Sequence, residues 1–176
     1  MTDVDRLFRD YHEPFARYLT RRLGDRDRAE ELVQEIFLRA LKQKSIASER
    51  SWLFAVATNL ARDEARRDIR NRQRLELLRQ EASCSDIAEP ESLTIERTRE
   101  FAIARAALGM LTERDRDALL MREEGLDYPE IAAALELSVK SVGTTLARAR
   151  RRLVEAFDAL QSERNVERRG STHAAS

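Results

Sequence analysis

Apolar residues recur at three- and four-residue spacing through most of the chain, and no segment shows sustained period-two alternation. The pattern predicts an all-α protein. A first helix over 4–23 puts Val4, Leu7, Phe8, Tyr11, Phe15, Tyr18 and Leu19 on one stripe, with Pro14 a point of bending. A second, capped by Asp25 or Asp27, carries Ala29, Leu32, Val33, Ile36, Phe37, Ala40 and Leu41. After a polar loop over 42–50, Ser51 reads as the N-cap of a long helix that turns Leu53, Val56, Ala57 and Leu60 inward. These three helices predict one bundle, in residues 1–79.

From 80 to 96 the periodicity lapses into EASCSDIAEPESLTIE, rich in serine and acid, which predicts a flexible acidic linker. A second small helical domain follows over 97–162, and 163–176 is too polar and small-residued to predict order. Within the second domain, Thr112 and Asp115 open a helix that Gly125 closes, and Gly109 stands between helical segments. Asp127 and Glu130 form a capping-box pair around Tyr128 and Pro129 at the start of YPEIAAALEL. Ser138 caps the next helix, SVKSVGTTLARARRRLVEAF. A short apolar helix, a tight turn and a longer basic helix make the spacing of a DNA-binding helix-turn-helix. Ile131, Ala132, Leu135, Val142, Leu146 and Leu153 supply its buried contacts. That leaves Lys140, Ser141, Thr144, Thr145, Arg148, Arg151 and Arg152 on other faces. The competing reading is an amphipathic surface helix with a solvated basic face.

Composition narrows the picture. The 176 residues hold 32 Lys+Arg and 32 Asp+Glu, a net charge of zero that taken whole argues against a nucleic-acid partner. Taken by segment it does not: residues 1–72 carry +3 and 138–176 carry +4, while 73–100 carry −3 and 101–137 carry −4. Positive charge gathers in the long helix of the first domain and in the helix after Ser138. One cysteine, Cys84, and two distant histidines, His12 and His173, exclude a disulfide framework and a Cys/His metal cluster, so no metal or other cofactor is expected. No nucleophile–base pair or glycine-rich phosphate loop suggests an enzyme or a small-molecule substrate. The charged N-terminal stretch and the lack of a long apolar run predict a cytoplasmic protein without membrane insertion.

AEELVQEIFLRAL, WLFAVATNLARDEARR and LTERDRDALLMREEGLDYPEIAAALELSVKSVGTTLARARRRL, in this order, resemble the bacterial RNA polymerase sigma factors of the extracytoplasmic-function type, over about 8–157. The resemblance implies a sigma region-two domain over 1–79 and a region-four domain over 97–162. It also implies a non-catalytic subunit that binds core RNA polymerase and directs initiation at promoter DNA, with an anti-sigma factor as a further partner. Core binding falls by resemblance on Glu31, Gln34, Glu35 and Leu38. An acidic face with an exposed leucine suits a basic helical partner and equally describes a merely soluble helix face.

Minus-ten recognition and melting fall on Lys44, Ser45 and Ser48 in the loop and on Asn59, Arg62, Arg66, Arg67 and Arg70 beyond it. Unstacked bases must be trapped by polar or aromatic groups and the backbone held by charge. Arginines interleaved with Asp63, Glu64 and Asp68 can instead form intrahelical pairs. Trp52 either caps the bundle core or stacks on a base. Minus-thirty-five contacts fall on Lys140, Ser141, Thr144, Thr145, Arg148 and Arg151. Two departures from the family stand out: Glu136 occupies a turn position where the family usually has glycine, so that either Glu136 accepts a left-handed conformation or the turn differs, and Gly143 and Ala147 are small where the family often has larger residues. The linker carboxylates Asp86, Glu89, Glu91 and Glu96 could mimic nucleic-acid charge. The alternative function is an autonomous helix-turn-helix regulator acting without polymerase.

Overall fold

A computed structural model describes residues 3–81 and 95–173 of the chain. The described residues form seven α-helices: α1 Val4–Leu23, α2 Arg26–Leu41, α3 Glu49–Glu81, α4 Ile95–Met110, α5 Glu113–Glu123, α6 Tyr128–Leu135 and α7 Val139–His173. None is long and apolar enough to cross a membrane. The chain divides into two compact units between Ser92 and Leu93, inside the segment where helical periodicity lapses. Cys84, Asp86, Glu89 and Glu91 lie outside the described residues.

The first unit packs α1, α2 and α3 around aromatic residues. Phe15 lies 4.6 Å from Phe54 and 6.3 Å from Phe37 between ring centres, and Tyr18 meets Phe54 edge-on at 5.3 Å. Pairs of this kind each contribute about 0.5–1.5 kcal/mol beyond their buried area. The Tyr18 hydroxyl, fully buried, hydrogen-bonds the Thr58 Oγ1 at 2.8 Å, so the one polar atom on that ring is satisfied inside the core. Asp25, rather than Asp27, caps α2 by accepting from the Arg28 N–H at 3.0 Å. The helix α3 begins after Ser48, whose carbonyl accepts from the Trp52 N–H at 2.9 Å. Ser51 is buried in the first turn instead of capping it. Two residues of the apolar stripes also face out: Leu41 is 62% and Phe8 43% exposed. Leu41 ends α2, where no neighbouring turn remains to cover it, while Phe8 still rests on Phe37 at 5.0 Å.

In the second unit α7 packs against α4, α5 and α6. Met121, Leu126, Ile131, Val142, Leu146 and Ala149 make its core. Gly109 lies in the last turn of α4 rather than between helices, and Arg116 reaches back from α5 to donate to the carbonyls of Gly109 and Leu111, both at 3.3 Å. The backbone of α7 runs to His173, past the point at 163 where the sequence pattern predicts order to end. After Gly143 neither proline nor glycine interrupts it before Gly170, and each further residue adds one helical hydrogen bond to an existing helix.

Candidate nucleic-acid interface

Local chemistry fixes the approach to α7. Asp127 N–H donates to Glu130 Oε2 and Glu130 N–H donates to Asp127 Oδ1, both at 2.8 Å, which closes a reciprocal cap on α6 around Pro129. Glu136 ends α6 at φ 54°, ψ 48°, and the following Leu137 N–H bonds the Ala132 carbonyl at 2.8 Å. A left-handed conformation at a non-glycine residue costs about 1 kcal/mol, tolerated here because the turn is held from both sides. Ser138 then caps α7, its Oγ accepting from the Ser141 N–H at 3.2 Å while the Ser141 hydroxyl donates to the Ser138 carbonyl at 2.8 Å.

At about 100° per residue, the buried positions Val142, Thr145, Leu146, Ala149 and Ala156 define the inner face of α7. Lys140, Thr144, Ala147 and Arg151 point the opposite way, and all four are exposed. This stripe, with polar ends and a small residue between, has the shape of a major-groove reading face. Thr145 corrects the sequence reading: it is 5% exposed, three residues beyond Val142 and four before Ala149, on the core seam and away from solvent. Gly143 is half-buried, and a Cβ added there would meet only the Tyr128 ring, at 3.5 Å.

Ser141, Arg148 and Arg152 occupy the flank of the helix, where a carboxylate missed by the sequence reading takes hold of both arginines. Asp115, the third residue of α5, is 0% exposed. Its Oδ1 accepts from Arg148 Nη2 at 2.6 Å and its Oδ2 from Arg152 Nη1 at 3.0 Å. Burial opposes ionisation of Asp115, but its hydrogen bonding with Arg148 and Thr112 and the charges of Arg148 and Arg152 outweigh it and hold the carboxyl below its usual range. The same pairing raises Arg148. Arg148 is therefore anchored to the scaffold and only partly open to solvent. Arg150, absent from the sequence candidates, is exposed on the other flank.

In the first unit Lys44, Ser45 and Ser48 are exposed in the loop, and Asn59, Arg66, Arg67 and Arg70 are exposed along α3. Arg62 and Trp52 are half-buried. Interleaved acids engage part of this row: Arg66 lies 3.7 Å from Asp63, and Arg67 lies 3.6 Å from Glu64. Glu64 is itself gripped by Arg28 of α2 through two hydrogen bonds of 2.7 and 2.6 Å, which ties α2 to α3 and holds the Glu64 carboxyl below its usual range. On α2, Glu31, Gln34 and Leu38 are exposed in line with Leu41. Arg28 hydrogen-bonds Glu31, and Arg39 donates to the half-buried Glu35 at 2.8 Å. This face is thus two exposed leucines flanked by ion pairs rather than a purely acidic surface.

The family model of Sigma-70 region 2 matches residues 7–72, and that of Sigma-70, region 4 matches 101–153. The chain is 29% identical over 168 residues to the RNA polymerase sigma factor YlaC of Bacillus subtilis, spanning 93% of this chain and 96% of that one. It is 33% identical over 139 residues to the ECF RNA polymerase sigma factor EcfG of Rhodopseudomonas palustris, covering 74% and 71%. Two solved structures share the fold. The sigma factor RpoE of Bartonella quintana, in complex with the anti-sigma factor NepR, gives a TM-score of 0.57 at 21% identity, with 90% of this chain and 98% of that one covered. CnrH, in complex with the cytosolic domain of CnrY, gives 0.60 at 24% identity, covering 89% and 88%.

Proposed function

The chain belongs to the extracytoplasmic-function sigma factors of the sigma-70 family, and from that premise we propose how its residues divide the work. The protein binds core RNA polymerase and directs promoter-specific transcription initiation. It acts in the cytoplasm and carries out no chemistry of its own; positioning and strand trapping are its contribution.

The region-four unit reads the minus-thirty-five element through Lys140, Thr144 and Arg151 on the outer stripe of α7, with Ser141 and Arg148 on its flank near phosphates. Thr145 holds the helix in the unit's core instead. The region-two unit engages the minus-ten element with Lys44, Ser45 and Ser48 from the loop and with Asn59, Arg62, Arg66, Arg67 and Arg70 from α3. Core polymerase docks on Gln34 and Leu38, extended by Leu41, with Glu31 and Glu35 at the rim. An anti-sigma factor is a further partner, a reading supported by the complex of the structural relative RpoE with the anti-sigma factor NepR.

The observation that carries this reading is the exposed stripe of α7 presented by a fully capped helix-turn-helix, in a chain whose region-two match precedes it. An autonomous regulator leaves residues 7–72 without a role. In-vitro transcription with core polymerase on a genomic fragment library tests the reading and returns the promoter. Stable capture of core with discrete start sites is expected, whereas duplex binding with no core association would sink it.

A further inference from the structure

The clasp of Asp115 on Arg148 and Arg152 is unusual in its placement. A fully buried carboxylate of one helix faces two arginines of the reading helix, and both keep solvent access, with side chains 38% and 47% exposed. Arg148 uses Nη2 at 2.6 Å and, more weakly, Nε at 3.4 Å on Asp115, and Arg152 uses Nη1. A guanidinium has five N–H donors in a planar fork, so each arginine retains donors for a second anion. Two positive charges share one negative charge, and the trio presents a net single charge to whatever lies outside.

We propose that Asp115 is a positioning residue for DNA binding: it fixes Arg148 and Arg152 along the flank of α7 and withholds one of their two charges from the phosphate backbone. The inference rests on α7 being the DNA-reading helix. Its consequence is that the free chain clings weakly to arbitrary DNA, while Lys140, Thr144 and Arg151 on the outer stripe keep their approach to the bases. Affinity for non-specific duplex scales with the number of phosphates neutralised, each contributing a salt-dependence slope of about 0.9. A carboxylate that cancels one arginine therefore removes about one such increment.

The test uses the full chain and a duplex of about thirty base pairs of arbitrary sequence, titrated between about 0.1 and 1 M salt. Asp115→Asn should steepen the slope by about 0.9, which is close to an eightfold gain in affinity at 0.1 M if the two proteins bind equally at 1 M. Asp115→Ser removes the same charge from a smaller side chain and carries the test if the asparagine variant fails to fold by circular dichroism. In an Arg148→Gln/Arg152→Gln background the effect of Asp115→Asn should vanish, because the groups it acts through are gone. An unchanged slope, or a loss of melting temperature alone, overturns the proposal and leaves Asp115 as a structural tie. A steepened slope that persists in the glutamine background overturns it too, since Asp115 would then act only as a distant charge. None of these readouts involves polymerase, so failure here is separable from failure of the sigma-factor reading, which core capture decides.

Discussion

Along α3 Arg66 stands in water 3.7 Å from Asp63 of its own helix, both side chains exposed, whereas along α7 Arg148 and Arg152 converge on a carboxylate buried in another helix. The sequences look alike, with basic residues at helical spacing, but the energetics differ. Exposed pairs three residues apart are worth tenths of a kcal/mol and dissolve readily when a stronger anion arrives. A buried carboxylate cannot be rehydrated without opening the unit, so it keeps its arginines. Arg66 can therefore exchange Asp63 for a stronger anion, and the α7 flank is preset in position and partly discharged.

The largest effect that would break this comparison is on stability. Asp115→Ala should cost the second unit about 2 kcal/mol by removing a buried, multiply bonded carboxylate, and Asp63→Ala in the first unit should cost less than about 0.5 kcal/mol. Amide hydrogen exchange of α7 reports the former, and the fluorescence of Trp52, the single tryptophan, reports the latter. Equal costs would erase the distinction between the two helices.

Next comes DNA itself. Arg151→Ala should lower minus-thirty-five-dependent transcription about tenfold, the loss of roughly 1–2 kcal/mol of contact, with core capture intact. Arg66→Ala should instead slow open-complex formation, read by permanganate footprinting, with little change in closed-duplex binding. Reversal of those two phenotypes would exchange the assignments of α3 and α7.

Acid titration sharpens the contrast on a smaller scale. The Asp115 and Glu64 carboxyls are both held below their usual range in the folded chain. Their stabilisation is thus fully present above the unfolded carboxylate value, near pH 4, and is lost as pH falls through the folded value. The stability gap between the parent and Asp115→Asn should accordingly hold from pH 7 to about 5 and close below about 4, measured by urea unfolding at each pH. A gap that widens in acid would contradict the lowered Asp115 value. The smallest change is a gain: Gly143→Ala should stabilise the second unit by about 0.5–1 kcal/mol, because the added methyl meets only the Tyr128 ring at 3.5 Å. Thermal melting followed by circular dichroism checks it.

Much of this molecule is legible in its sequence because its helices carry clear periodicity and strong caps. Thr112, Asp127 and Ser138 act where the pattern puts them, and Glu136 takes the left-handed conformation, one of the two outcomes its turn position left open. Other positions escape a reading by residue type. Thr145 is polar yet lies on the core seam, because helical phase outranks side-chain polarity when the neighbouring turns are fixed by Val142 and Ala149. Leu41 is apolar yet exposed at a helix end, which leaves α2 with a second leucine beside Leu38.

Sequence by itself determined which segments are helical, the capped starts at Thr112, Asp127 and Ser138, the helix-turn-helix and the segregation of charge, since each depends on residues within a few positions of one another, while the start of α3 and the end of α7 departed from it. Only the tertiary structure decided which charges are available. Asp115 precedes Arg148 by 33 residues, and Arg28 precedes Glu64 by 36. Nothing local in the chain announces either pairing. The packing of α5 on α7 and of α2 on α3 brings these groups together, and burial then determines whether an ion pair is a loose surface contact or a fixed part of the fold.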